Sequence, residues 1–246
     1  MNGYIRESTV KYFQPRVIGV IAFSITLVAV SVLLQQTASG QGSSYTYETD
    51  QLGDDSYRVR IFTNEDVDEG FNAYKAENDA RIDTWLANPA TAPNMNGLPV
   101  RVTFRAAMQY VDTMALLGPY AGQFLGYRAG GVANNEPEFY DGFGAIDPTM
   151  FTGSPYLHFT DLAFCSEHPE MCVPILYVGL MDVQFELQGG LVALQALKNH
   201  PDVFVADTTP IQVIHEISIL QPNVVNNLQT IESPTLMVDT SNVTWP

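Results

Sequence analysis

The side chains able to do chemistry in this chain are few and scattered. Its four histidines, His158, His168, His200 and His215, lie far apart. No G-x-S-x-G, H-E-x-x-H, Walker A or G-x-G-x-x-G occurs, so the common hydrolase, metalloprotease and nucleotide fingerprints are missing. His215-Glu216 falls within an apolar segment, where a hydrogen-bonded structural histidine is the usual role. Glu136, Glu138, Asp141 and Asp147 crowd one stretch. They could supply paired carboxylates or hold calcium, but the Gly- and Pro-rich surroundings read as a solvated surface loop. Cys165 and Cys172 flank "SEHPEM". In an exported chain they read as one local disulfide. A metal reading adds His168 with Glu167 or Glu170, but zinc sites generally use tighter pairs and four ligands. The expectation is no resident metal, no cofactor and no catalytic residue.

Export is read from the other end of the chain. Val17–Leu34 runs for 18 residues without a charge and is preceded by Arg6, Lys11 and Arg16. It fits both a cleaved signal peptide, with Ala38-Ser39-Gly40 as the cleavage site, and a retained anchor. Either way the positive-inside rule places the rest of the chain outside, as a secreted or periplasmic protein or one held on the outer face of the plasma membrane. One acid (Glu7) and those three bases precede Gly40, so the remainder holds 26 acidic and 8 basic residues. Such a surface repels nucleic acid and anionic headgroups. Asn242-Val243-Thr244 fits the N-glycosylation pattern.

Periodicity sets the elements that must position any site. Residues 41–56 are polar without period, a flexible lead. "YRVRIFT" (57–63) alternates as a first strand. Phe71, Tyr74, Asn78, Ile82 and Trp85 then recur at helical spacing, with Asp66 or Asp68 as cap and Asn88-Pro89 as stop. "NEDVDEG" (64–70) departs from a calcium loop at its glycine and closing acid. "LPVRVTF" (98–104) and "VDTMALLGP" (111–119) read as strands, 121–133 as a short helix and 134–155 as mostly irregular. Further strands are expected at 156–164, 173–180, 202–208 and 235–239, and helices at 183–200 and 211–220. This alternation predicts an α/β fold with a largely parallel sheet and helices on both faces. In such sheets strand exits that lead into helices hold small ligands on free backbone N–H groups, which points to Tyr120, Ala121 and Gly122 in "ALLGPYAGQF".

Read in order, "RVRIFT", "EGFNAY", "NGLPVRVTF" and "VDTMALLGPYAG" resemble the opening lobe of the type 1 periplasmic-binding-protein family. "SPYLHFTDLAF" and "VPILYVGLMDVQFELQGGLVALQAL" look like that family's approach to its second lobe. The resemblance implies a first lobe at 57–155 and an incomplete second one at 156–246, after a signal or anchor at 1–40 and a linker at 41–56. It also implies ligand contacts at Tyr120, Ala121 and Gly122, and brings Asp182 of the second lobe towards a ligand ammonium. The function expected is a non-catalytic binding domain for a small, amino-acid-like metabolite, working with a transporter or receptor partner. Two other classes fit the same residues: an acidic cell-surface interaction protein tethered through 17–34, and an extracellular hydrolase with an unrecognised site.

Overall fold

A computed structural model describes residues 44–52, 55–65, 71–133, 136–146, 148, 151, 176–234 and 236. The chain divides into two compact units, 1–38 and 39–246, and all described residues belong to the second. Residues 17–34, Asp66, Asp68, Asp147, the strand expected at 156–164, His158, Cys165, His168, Cys172 and Asn242 lie outside the described residues.

Two tyrosines open the fold. β1 (Tyr45–Gln51) buries Tyr45 and Tyr47 and pairs antiparallel with β2 (Tyr57–Thr63). Its outward Glu48 and Asp50 pair with Arg60, and Asp50 also with Arg58. Within the polar lead expected at 41–56, Tyr45–Gln51 is therefore a strand. It alternates, but its outward half is charged and only two inward residues are apolar. β2 keeps the expected bounds. α1 (Asn72–Ala87) buries Tyr74, Asn78, Ile82 and Trp85, the expected stripe, and ends at Asn88 before a short 3-10 turn, Pro89–Thr91. The Tyr74 amide in its first turn donates to Glu65 Oε1 at 2.8 Å.

β3 (Pro99–Met108) turns Val100, Val102 and Phe104 fully inward. The strand expected at 111–119 is instead α2 (Tyr110–Leu117), which buries Thr113 and Leu117 one turn apart. Met-Ala-Leu-Leu favours helix intrinsically, and an apolar run of this length does not separate strand from helix. Conversely, the Gly-rich 121–133 is no helix but β4 (Ala121–Ala133), hairpinned to β5 (Glu136–Phe143). β6 (Leu176–Leu187) extends through the first part of the helix expected from 183, and α3 occupies only Gly190–Lys198. β7 (Val203–Asp207), α4 (Thr209–Leu220), the short α5 (Pro222–Asn226) and β8 (Leu228–Glu232) complete the described elements.

The three-stranded sheet has the order β1-β2-β8 and the five-stranded sheet the order β5-β4-β6-β3-β7. Every pairing in the latter is antiparallel, which corrects the expected parallel sheet. The reason lies in how two strand–helix–strand units interleave. β3 and β4 run parallel to each other but are separated by β6, and β6 and β7 run parallel but are separated by β3. This is the split β-α-β arrangement of ferredoxin-like sheets, with β5 added at the edge. Strands from both sides of the expected lobe boundary at 155/156 thus pair in one sheet. Leu117 of α2, Leu194 and Leu197 of α3, and Ile82 and Trp85 of α1 join Val100, Val102, Phe104, Val183, Phe185 and Leu187 in one apolar core.

Candidate functional site

Period-two alternation sends the other side chains of the same strands to the opposite face. There lie Arg101 and Thr103 of β3, Asp182 and Gln184 of β6, and Arg128 of β4. Arg128 is the direct cross-strand partner of both Asp141 on β5 and Asp182 on β6, while Arg101 lies opposite Gln184 and Asp207. Taken in sheet order, Asp141, Arg128, Asp182, Arg101 and Asp207 form a row of alternating charge across all five strands.

The pairings are tight. Arg128 donates through Nε and Nη2 to the two oxygens of Asp141, each at 2.7 Å, and its guanidinium carbon lies 5.7 Å from the Phe139 ring centroid. Hydrogen bonding to Asp141 raises the Arg128 pKa above its ordinary value. Arg101 donates through Nε to Asp182 Oδ1 at 2.7 Å and through Nη1 to the Ser233 carbonyl at 3.0 Å. Gln184 donates to the Ile231 carbonyl of β8 at 3.2 Å, so the end of β8 and the Ser233 that follows it lie along this face. Asp182 is 1% exposed. Burial pushes its carboxyl pKa above 3.8, with Arg101 and then Arg128 opposing the shift. Its second oxygen, Oδ2, is buried without a partner, as are Ser233 Oγ and Thr103 Oγ1.

Beside this row opens a cavity of about 230 Å³, bordered by Arg101, Tyr127, Asp141, Phe143, Gln184 and Ser233, with Glu232 at its side. Gly142 is essential to this wall: a Cβ there would stand 2.1 Å from Tyr127 Cζ, so the ring lies flat where a side chain would be. The groups this wall presents are charges and hydrogen-bonding atoms. Among the described residues no group of three His, Cys, Asp or Glu is placed to hold a metal ion.

The expected ligand residues fall in two places. Tyr120, in the turn after α2, borders a more open depression of about 730 Å³ with Gln109, Asp112, His200 and Asp202. Ala121 begins β4 opposite Leu187, and a Cβ on Gly122 would meet Gln188 Nε2 at 2.8 Å. Asp182 lies five residues along β6 from Leu187, roughly 17 Å away at the usual strand rise. The structure therefore does not bring Asp182 together with Tyr120, Ala121 and Gly122. His200 Nδ1 accepts the Asp202 amide at 3.3 Å, and His215 is exposed on α4. Of the crowded carboxylates, Asp141 sits in β5 paired with Arg128 rather than in a free loop. Arg101, Arg128, Gln184, Phe143, Glu232 and Ser233 were missed. The signal for two of them, Arg101 and Gln184, was the polar half of two alternating strands, "PVRVTF" and "DVQFE".

A second polar cluster, at the start of α4, is closed. Asn78 Oδ1 accepts the Thr208 amide at 2.8 Å and Asp207 Oδ1 the Thr209 amide at 2.9 Å, so two otherwise orphaned helix donors are satisfied. Tyr74 OH donates to Thr209 Oγ1 at 3.0 Å and Arg81 to Asn78 Oδ1 at 3.0 Å. It pins α1 to α4, and neither the cavity nor the depression opens on it.

Fold and site together define a domain of mixed helix and strand, with a split β-α-β antiparallel sheet and a charged sheet face. Comparison of the chain with protein-family models, with curated proteins and with solved structures finds no match in any of the three. Among the described residues no helix is long and apolar enough to cross a membrane.

Proposed function

We propose that this chain is a non-catalytic binding module for a small amino-acid-like metabolite, held on the charged face of the five-stranded sheet and acting outside the membrane. The observation that carries the reading is the conjunction of the cavity with the buried, unpartnered Ser233 hydroxyl on its wall beside Arg101. Native folds satisfy nearly all buried polar atoms, and an orphaned hydroxyl on a cavity wall next to an arginine is a place where a polar guest completes the bonding. Arg101 uses Nε and Nη1 internally and leaves Nη2 for a guest carboxylate. Asp141 and Glu232, both half exposed, offer oxygens to an ammonium. The test is isothermal titration of the full chain with each of the common L-amino acids, alongside a thermal-shift series. Saturable binding that raises the melting temperature is expected, weakened by Arg101→Met. A flat response throughout overturns the reading.

A further inference from the structure

Resting on the amino-acid-like guest just proposed, we infer that the site selects a dibasic amino acid, its side-chain cation seated under Phe143. Phe143 is 89% exposed, the most exposed of the large apolar side chains described. It stands at the end of β5, at the cavity border, between Gly142 and Gly144. Gly144 has a φ of +82°, a left-handed conformation that turns the chain away immediately after the ring. An aromatic ring held open to water at the mouth of a polar cavity is a ready partner for a guest with a face or a charge to offer it.

Charge says which. Three charged residues border the cavity: Arg101, Asp141 and Glu232. Arg101 is already matched by the buried Asp182 and Asp141 by Arg128. Glu232 has the loosest pairing, 3.8 Å from Arg58 Nη1 with its side chain half exposed, and among the described residues Glu48, Asp50 and Glu232 share only Arg58 and Arg60, so one negative charge in excess rests on Glu232. A neutral zwitterion leaves that excess negative charge in place, whereas a guest of net charge +1 cancels it. The second cation of lysine, ornithine or arginine would lie between Glu232 and the Phe143 ring face, where carboxylate and π-cloud both attract it.

The test is titration of the full chain with L-arginine, L-lysine and L-norleucine, the last matching lysine without its ammonium. It is repeated with Phe143→Ala and Phe143→Trp, exposed changes whose folding is checked by melting temperature. Wild type should bind arginine and lysine at least tenfold more tightly than norleucine. Phe143→Ala should weaken arginine about two- to six-fold and spare norleucine, and Phe143→Trp should retain or tighten arginine binding. Norleucine bound as tightly as arginine, or arginine bound equally by Phe143→Ala, overturns this inference while leaving the amino-acid reading intact. No binding of any amino acid by wild type overturns both.

Discussion

Replacing Asp182 by Leu tests the charged sheet face directly. The substitution leaves Arg101, whose side chain is 11% exposed, without its carboxylate and with the Ser233 carbonyl as its remaining bond. Breaking a buried ion pair from one side costs about 3–5 kcal/mol because the surviving charge is stranded. Arg101 borders a cavity that water can enter, which lowers the expected cost to about 2–4 kcal/mol. With an m-value of about 2–3 kcal/mol/M in urea, the unfolding midpoint should fall by roughly 1 M. Arg101→Met strands the other partner, but a stranded carboxyl can protonate. Burial already raises the Asp182 pKa, and losing Arg101 raises it further. The contribution of Asp182 to the stability of Arg101→Met is therefore fully present below pH 3.8 and lost as pH rises through the new folded-state pKa, so the variant's deficit relative to wild type is larger at pH 8 than at pH 5. The double variant removes both charges and should return to within about 1 kcal/mol of wild type. The assay is urea unfolding of all four proteins at both pH values. A single-variant loss below about 0.5 kcal/mol for Asp182→Leu, or simple additivity in the double, refutes the argument that the two side chains form one buried unit.

Two other substitutions probe the frame of the site. Gly142→Ala puts a methyl group into the Tyr127 ring, which is packed edge-on against Phe151 at a centroid distance of 5.4 Å, and should cost about 2–3 kcal/mol in urea unfolding; an unchanged midpoint would mean the ring moves freely. Asp207→Asn keeps an oxygen for the Thr209 amide but removes a charge whose pKa burial raises. In wild type that group's contribution is fully present below pH 3.8 and lost as pH rises through the folded-state pKa. The variant should therefore show a flatter stability profile over that window and no loss at pH 7, and an unaltered profile would show that Asp207 titrates there as it does in the unfolded chain.

Sequence reading was good where one apolar face decided the element. The α1 stripe through Tyr74, Ile82 and Trp85, strand β2, the Val100–Phe104 face, β7 and α4 all came from spacing alone. It erred where both states bury an apolar run, as at Tyr110–Leu117, or where the strand is rich in glycine, as in β4. The sheet's direction was misread for a different reason. Strand–helix–strand alternation does make β3 parallel to β4 and β6 parallel to β7, but nothing local says that a third strand will slip between each pair. That insertion is a long-range event decided by which faces fit, and it moves the site. In a parallel sheet all strands deliver their carboxyl ends to one crevice, as expected for Tyr120–Gly122. In an antiparallel sheet the ends alternate between two edges, and recognition passes to side chains standing on a face. A charged face must then neutralise itself, which alternation of acid and base on neighbouring strands achieves.

Orphaned oxygens that serve binding must be separated from those that are only tolerated, and Ser233 offers the cleaner separation. Its hydroxyl is buried without a partner, while its backbone carbonyl accepts from Arg101. Ser233→Ala deletes the first and keeps the second. An unsatisfied buried hydroxyl gives the empty fold nothing, so its removal should leave stability unchanged or raise it by up to about 1 kcal/mol. If a guest supplies the missing bond, the same change should weaken amino-acid binding by about two- to ten-fold, the worth of one net hydrogen bond. Stability and affinity thus move in opposite directions only if the hydroxyl is kept for a ligand. A midpoint that drops with affinity untouched would assign it to packing and remove the orphan on which the binding reading stands.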